Sequence, residues 1–280
     1  MPITLNGTTG ITTPADTVTG NATVGGTLNV TGATTLGATT ATSLSVAGTA
    51  AVAVAPGTSG NVLTSNGTTW TSAAVAASGF SNMQVFTSTG TFTVPAGVTK
   101  VKVTVVGGGG AGGYNGSFGA SGGGGGGAAI KIVSGLTPGG TVAVTVGASV
   151  AGRVTDGTGA AGNTSSFGAY CSATGGAGGV QSGNANFISL GVAGGLGSSG
   201  DLNIRGGGSN FGLGMRLLES VCVQVSINLS GAGGSSILGG ATQSASLIGI
   251  AGSAYGGGGS GSSSANTSGS GAAGVVIVEY

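Results

Sequence analysis

The sequence contains no histidine, only 11 charged residues in 280 (six Lys and Arg, five Asp and Glu), five prolines and two cysteines. Each scarcity excludes something. Without histidine the chain builds neither a Ser-His-Asp triad nor a His-ligated zinc site. Six scattered basic residues form no positive patch, so nucleic acid finds no electrostatic footprint. Apolar runs such as VVIV are short and β-branched, and none is long enough to span a bilayer. The opening MPITLNGTTG has neither a basic segment nor an apolar core, so no signal peptide is read there and synthesis in the cytosol is expected. A phosphate-cradling loop needs Gly-Lys-Ser/Thr, and no lysine follows a glycine. No cofactor and no metal are expected.

The acidic residues Asp16, Asp156, Asp201, Glu219 and Glu279 are mostly isolated in sequence. Polysaccharide hydrolysis needs two carboxylates about 5 to 10 Å apart. Only Asp156 with Asp201, or a pair across subunits, offers that, and the chain is read as a non-enzyme. The two cysteines, Cys171 and Cys222, are too few for a disulfide framework. Both are expected as small, reduced, packed residues; spacing does not decide whether they pair.

What is abundant is glycine, 67 residues, with Ala, Val, Thr, Ser, Asn, Leu and Ile making most of the remainder. Net charge is +1 and mean hydropathy +0.45. Disordered chains combine low hydrophobicity with high net charge; this composition fits an extended, repetitive β protein instead. Residues 1–99 hold 14 of the glycines, leaving 67 − 14 = 53 for residues 100–280.

In the glycine-poor part, TLNVTG (27–32) and SLSVAG (43–48) share polar-Leu-polar-Val-small-Gly at an offset of 16 residues. Alternation of apolar and small polar residues marks a half-buried strand, and the small residues mark turns. Units this short bury a core only when stacked or wound with identical copies. Residues 21–54 are therefore read as a trimeric β-repeat shaft, preceded by a separate N-terminal segment, 1–20. Residues 55–81 are a connector in which SNGT (65–68) turns NVLT back along TWTS as a hairpin. Trp70 is expected to pack at an oligomer axis or against the next domain.

Residues 82–280 are read as one domain. MQVFTSTG, GTFTV, KVKVTVV, AAIKIV, TVAVTVG and the final VVIVEY are strand-like, PAGV and LTPGG are turns, and AAIKIV is expected to pair with TVAVTVG as a hairpin. Together they predict a β-sandwich with glycine-rich material inserted into it. Glycine is costly to order, roughly 0.5 to 1 kcal/mol per residue relative to Ala, and flexible linkers do not need patterned runs. In the polyproline II conformation, seven to nine glycines reach roughly 22 to 28 Å at about 3.1 Å per residue. Without Cβ atoms such rods pack closely enough for every backbone group to find a partner. The expectation is an all-β fold: a β-sandwich with inserted polyglycine II-like helices, each non-glycine segment being a loop at a rod's end. The segment 209–230 is poor in glycine and reads as an extra hairpin.

Candidate contact residues recur between the runs: Tyr114, Asn115 and Phe118; Gln181, Asn184, Asn186 and Phe187; Asn210 and Phe211; and Tyr255. Aromatic faces stack on sugar rings, and amides supply both donors and acceptors. Near-zero charge favours short-range recognition over electrostatic steering. The same aromatics also suit stapling one loop to the next.

GTSGNVLTSNGTTWTSAA (57–74) and the Thr/Val/Gly repeats before it resemble bacteriophage tail-fibre proteins. FTSTGTFTVPAGVTKVKVTVVGGGGAGG (86–113), with SSFG (165–168), ATGGAGG (173–179) and GAAGVVIVEY (271–280), resembles the glycine-rich domain of phage fibre tips. The resemblance covers nearly the whole chain. It implies a homotrimeric virion component, made in the host cytoplasm and held to the tail or baseplate by its N-terminus, with residues 1–20 as the attachment segment. Its tip would bind a host surface glycan or outer-membrane protein, with no membrane insertion. The competing readings are a purely structural fibre or decoration protein, and a cell-made extracellular adhesin or matrix protein.

Overall fold

A computed structural model of the protein describes residues 59–65, 70–74, 79–181, 183, 187–218, 224–243, 248–263 and 267–280. The fold is all-β, and no helix occurs among the described residues. The chain divides into two compact units, Met1–Ala73 and Ala74–Tyr280. The first holds β1 (Asn61–Ser65) and most of β2 (Trp70–Ala74), which form a two-stranded sheet where the hairpin is expected. Asn61 Nδ2 donates to Ser72 Oγ at 3.0 Å across it. The attachment segment, the shaft repeats and the Trp70 side chain lie outside the described residues.

The second unit is built on two five-stranded antiparallel sheets. One contains β3 (Met83–Phe86), β5 (Lys100–Val106), β6 (Ala128–Ser134), β12 (Leu202–Ile204) and β15 (Val275–Glu279), in the spatial order 12-6-5-15-3. The other contains β4 (Gly90–Thr93), β7 (Thr141–Thr145), β8 (Ser165–Phe167), β9 (Cys171–Ala173) and β11 (Gly197–Ser198), in the order 11-9-8-7-4. Alternation decides which face is buried. In KVKVTVV, Val101, Val103 and Val105 are fully buried while Lys100 is exposed; in β7, Val142 and Val144 turn inward. The inward sets of both sheets share one core with Phe92 and Phe167, whose ring centroids are 5.8 Å apart. Tyr280 closes the core against Phe92 at 5.7 Å. Each such buried side chain stabilises the sandwich by roughly 1.5 to 3 kcal/mol. β15 sits between β5 and β3, Val276 facing Val105 on one side and Phe86 on the other.

The expected pairing of AAIKIV with TVAVTVG does not occur. β6 is flanked by β5 and β12, so it has no free edge for β7. The LTPGG turn instead carries the chain across to the other sheet. There Gly139 N and Gly140 O bond Val94 at 2.8 Å each, and β7 pairs with β4 and β8. Gly139 has φ +80°, which a residue with a Cβ rarely adopts.

Between the strands the glycine runs leave the sheets and pack side by side. In run 107–113, the N–H groups of Gly107, Gly110 and Gly113 donate to the carbonyls of Gly127, Gly124 and Ser121. Those of Gly108 and Ala111, followed by Tyr114, donate to Asn163, Ala160 and Gly157, and those of Gly109 and Gly112 to Ala272 and Gly269. Every third residue thus faces the same neighbour. Run 119–127 repeats the rhythm. Ser121, Gly124 and Gly127 donate to Val180, Ala177 and Thr174; Gly122 and Gly125 to Asn210 and Gly207; Gly123 and Gly126 to Gly259 and Gly256. Its carbonyls accept from runs 107–113, 189–196 and 230–236, so six runs surround it. Closeness of approach explains the residue choice. A Cβ on Gly123 would lie 2.2 Å from the Gly110 carbonyl oxygen, and one on Gly126 only 2.0 Å from that of Gly107.

Candidate functional site

The direction of each run follows from its neighbours. Run 107–113 leaves β5 and ends at Tyr114; run 119–127 returns to β6. Run 174–181 leaves β9 beside Gly127 and reaches Ser121, and run 189–196 comes back from Gly119 to Thr174. Runs 205–211 and 256–263 go outward, and runs 157–163, 230–236 and 267–274 come home. The non-glycine segments therefore fall alternately at the far end of the bundle and at the sandwich. The expectation that each is an end loop far from the sheets holds for every second one.

At the far end, the segment 114–118 is folded tightly. Asn115 Oδ1 accepts from the N–H groups of Ser117 at 2.9 Å and Phe118 at 3.0 Å, a turn closed by the side chain. Asp156 Oδ1 accepts from Gly116 N at 2.8 Å. Tyr114 and Asn115 are buried and bonded through their backbones to Gly157 and Ser262, so they brace the loop, while Gly116 and Ser117 face solvent. Half-buried Phe118 lies over Gly214, where a Cβ would stand 2.7 Å from the Phe118 Cβ. Gly214 belongs to a small sheet that caps this end, made of β10 (Phe187–Ser189), β13 (Gly212–Leu218) and β14 (Gln224–Leu229) in the order 10-13-14. β13 and β14 are the hairpin expected in 209–230. Ser189 Oγ donates to Gly119 O at 3.0 Å, tying the cap to the bundle.

The structure thus brings Tyr114, Asn115, Phe118, Gln181, the backbone of Phe187, Asn210 and Phe211 to one end. Gln181 and Phe211 are exposed there, Phe211 by 55%. Tyr255 is elsewhere. It packs half-buried on Val106, Ala128 and Val275 at the sandwich, where its carbonyl accepts from Ser236 Oγ. Asn184, Asn186 and the Phe187 side chain lie outside the described residues. Asp156 is a far-end residue that reasoning from the sequence passes over as a contact, because its partner Gly116 is 40 residues away. Also unread there are Ser230, Thr242 and Gln243, which line a cleft with Asn210 and Phe211. The only signal for them is that SINLS ends an alternating strand on a serine.

The two carboxylates considered as a pair do not share a site. Asp156 holds the far-end loop, whereas Asp201 accepts from Ile132 N at 2.8 Å and Lys131 Nζ at 3.5 Å on the sandwich. The Ile132 N–H holds the Asp201 carboxyl below its ordinary range, with Lys131 adding to the effect. Cys171 is a free thiol in the core, and burial pushes its pKa up to about 11. No group of three or more acidic, cysteine or histidine side chains gathers among the described residues, and no helix there is long and apolar enough to cross a membrane.

Two facing sheets that extrude a laterally bonded glycine bundle with a capped end define a glycine-rich β domain. The model of the family described as a glycine-rich domain matches residues 84–280, and the chain belongs to that family. No curated protein matches it at a significant level.

Proposed function

We propose that this chain is a bacteriophage tail-fibre protein whose glycine-rich domain presents a receptor-binding tip to a bacterial surface. One observation carries the reading: the exposed candidate contact residues Gln181 and Phe211 stand at the end of a bundle rooted in a two-sheet core. A flexible linker would not sort its side chains this way. The glycine runs are polyglycine II-type rods in this reading. Their three-residue bonding rhythm fits a backbone with three residues per turn, and the six neighbours of run 119–127 fit close lateral packing. Such a bundle holds its end loops at fixed separations, which lowers the ordering cost of binding. The residues 1–54 serve as attachment segment and trimeric shaft, giving an assembly near 76 kDa (3 × 25.4).

The test uses the full chain, fluorescently labelled, on a panel of bacterial strains, with its native mass measured in parallel. Binding to some strains is expected to fall at least tenfold for Gln181→Ala and Phe211→Ala. It should persist for Leu202→Ser, an exposed change on the sandwich. Equal effects from both ends of the domain, or no binding to any strain, would overturn the reading in favour of a structural or decorative role. A native mass near 25 kDa would remove the trimeric shaft.

A further inference from the structure

Beside the cap, a cleft of about 460 Å³ opens between the end of run 205–211, the end of β14 and the segment 241–243. That volume lies within the roughly 300 to 1,000 Å³ typical of small-molecule sites. Its wall carries Phe211 and Leu229, 55% and 52% exposed, beside the amides of Asn210 and Gln243. Thr242 is fixed in place, its Oγ1 donating to Gly258 O at 3.1 Å and accepting from Gly233 N at 3.0 Å. Ser230 differs. It is 5% exposed and lines the same cleft, and among the described residues its Oγ has no hydrogen-bond partner; Asn228 Oδ1, two residues earlier, has none there either. Buried polar atoms are nearly always satisfied, and an unmet one is costly in the empty protein. The backbone around the cleft is held rigidly, Asn210 N bonding Ala232 O at 2.9 Å and Gly231 N bonding Ala120 O at 2.8 Å.

We infer that this cleft binds a neutral sugar residue. It rests on the reading of the far end as a receptor-binding tip, and it names the ligand class. An exposed aromatic ring offers a stacking face to the C–H side of a pyranose. The neutral amides of Asn210 and Gln243 offer both donors and acceptors to sugar hydroxyls, and Ser230, whose buried hydroxyl has no partner among the described residues, lines the same wall. Among the described residues no charged side chain lines the cleft, and this described wall suits a neutral sugar better than an anionic sugar or a phosphate. A protein loop would need a broader apolar surface than Phe211 and Leu229 supply.

The experiment applies the full-length protein to an array of neutral and acidic bacterial oligosaccharides, with cell adsorption measured in parallel. Binding to a subset of neutral glycans is expected, falling tenfold or more in Phe211→Ala and Gln243→Ala. Ser230→Ala is the sharper variant. Removing an unpartnered hydroxyl leaves the melting temperature unchanged or higher, while glycan binding falls; a hydroxyl with a purely structural role would not separate the two. Glycan binding that survives all three substitutions overturns the cleft assignment, while loss of cell binding in Gln181→Ala, outside the cleft, keeps the receptor-binding reading standing. Adsorption to cells without array binding, or binding to acidic glycans alone, overturns the neutral sugar. Absence of both array binding and adsorption overturns the inference together with the reading beneath it.

Discussion

At the scale of single residues, the bundle depends on absent atoms. Gly123 has a carbonyl oxygen 2.2 Å from where its Cβ would stand, and that carbonyl belongs to rigid backbone. Gly79 has nothing within 4 Å. Gly123→Ala is therefore expected to destabilise the domain by about 3 kcal/mol or more, at the upper end of overpacking effects. Gly79→Ala should be near neutral, and thermal melts of the two variants check the contrast. Equal melting temperatures would mean that the runs do not pack at this separation. Cys171 supplies a second prediction. Burial raises its pKa to about 11, so the folded protein keeps its proton where the unfolded chain loses it. Stability from this thiol is full below about pH 9 and is lost as pH rises toward 11, a change on the order of 2 kcal/mol. Urea titrations from pH 8 to 11 should show a steeper decline for the wild type than for Cys171→Ala, and parallel declines would refute it.

At the scale of elements, legibility followed length. KVKVTVV, AAIKIV, TVAVTVG and VVIVEY are long enough for alternation to mark them, and they became β5, β6, β7 and β15. SSF, CSA and GS form β8, β9 and β11 with only two or three residues each, too short for any period to show. Partner choice is also non-local. β6 is occupied on both edges by strands 22 and more residues distant in the chain, which local turn chemistry at LTPGG does not reveal. The candidate site was legible in part for a similar reason. Glycine runs signalled rods, but only the neighbours bonded along each run disclose which end is far, so Tyr255 could not be separated from Phe211 by sequence. The bonding itself is testable by hydrogen exchange. Amides of Gly110, Gly123 and Gly124 sit inside the bundle with 2.8–2.9 Å bonds, and they are expected to exchange as slowly as those of β5 and β15. Exchange within seconds across 107–127 would mark the segment as a linker.

At the scale of the whole molecule, almost nothing that holds the described part of the domain together carries charge. Among the described residues, the ion pairs are Lys102–Glu279 at 2.8 Å and Lys131–Asp201 at 3.5 Å, both substantially solvated. Pairs of that kind contribute about 0 to 1 kcal/mol each. The sandwich core is apolar and the bundle is bonded backbone to backbone, neither of which salt screens. Acid unfolding works through carboxylates whose pKa is depressed in the folded state, and the entire chain has five acidic side chains. The Asp201 carboxyl lies below its ordinary range, held there first by the Ile132 N–H. Its contribution is present above the ordinary carboxylate pKa and is lost as pH falls through the lowered value. The melting temperature is therefore expected to move by no more than about 2 °C, less than 1 kcal/mol for a domain of this size, between 20 mM and 1 M sodium chloride. The domain should also keep its far-ultraviolet circular dichroism spectrum at pH 2.5. Cooperative unfolding between pH 5 and 3, or a steep salt dependence, would show that charged contacts carry far more of the fold than these two pairs allow.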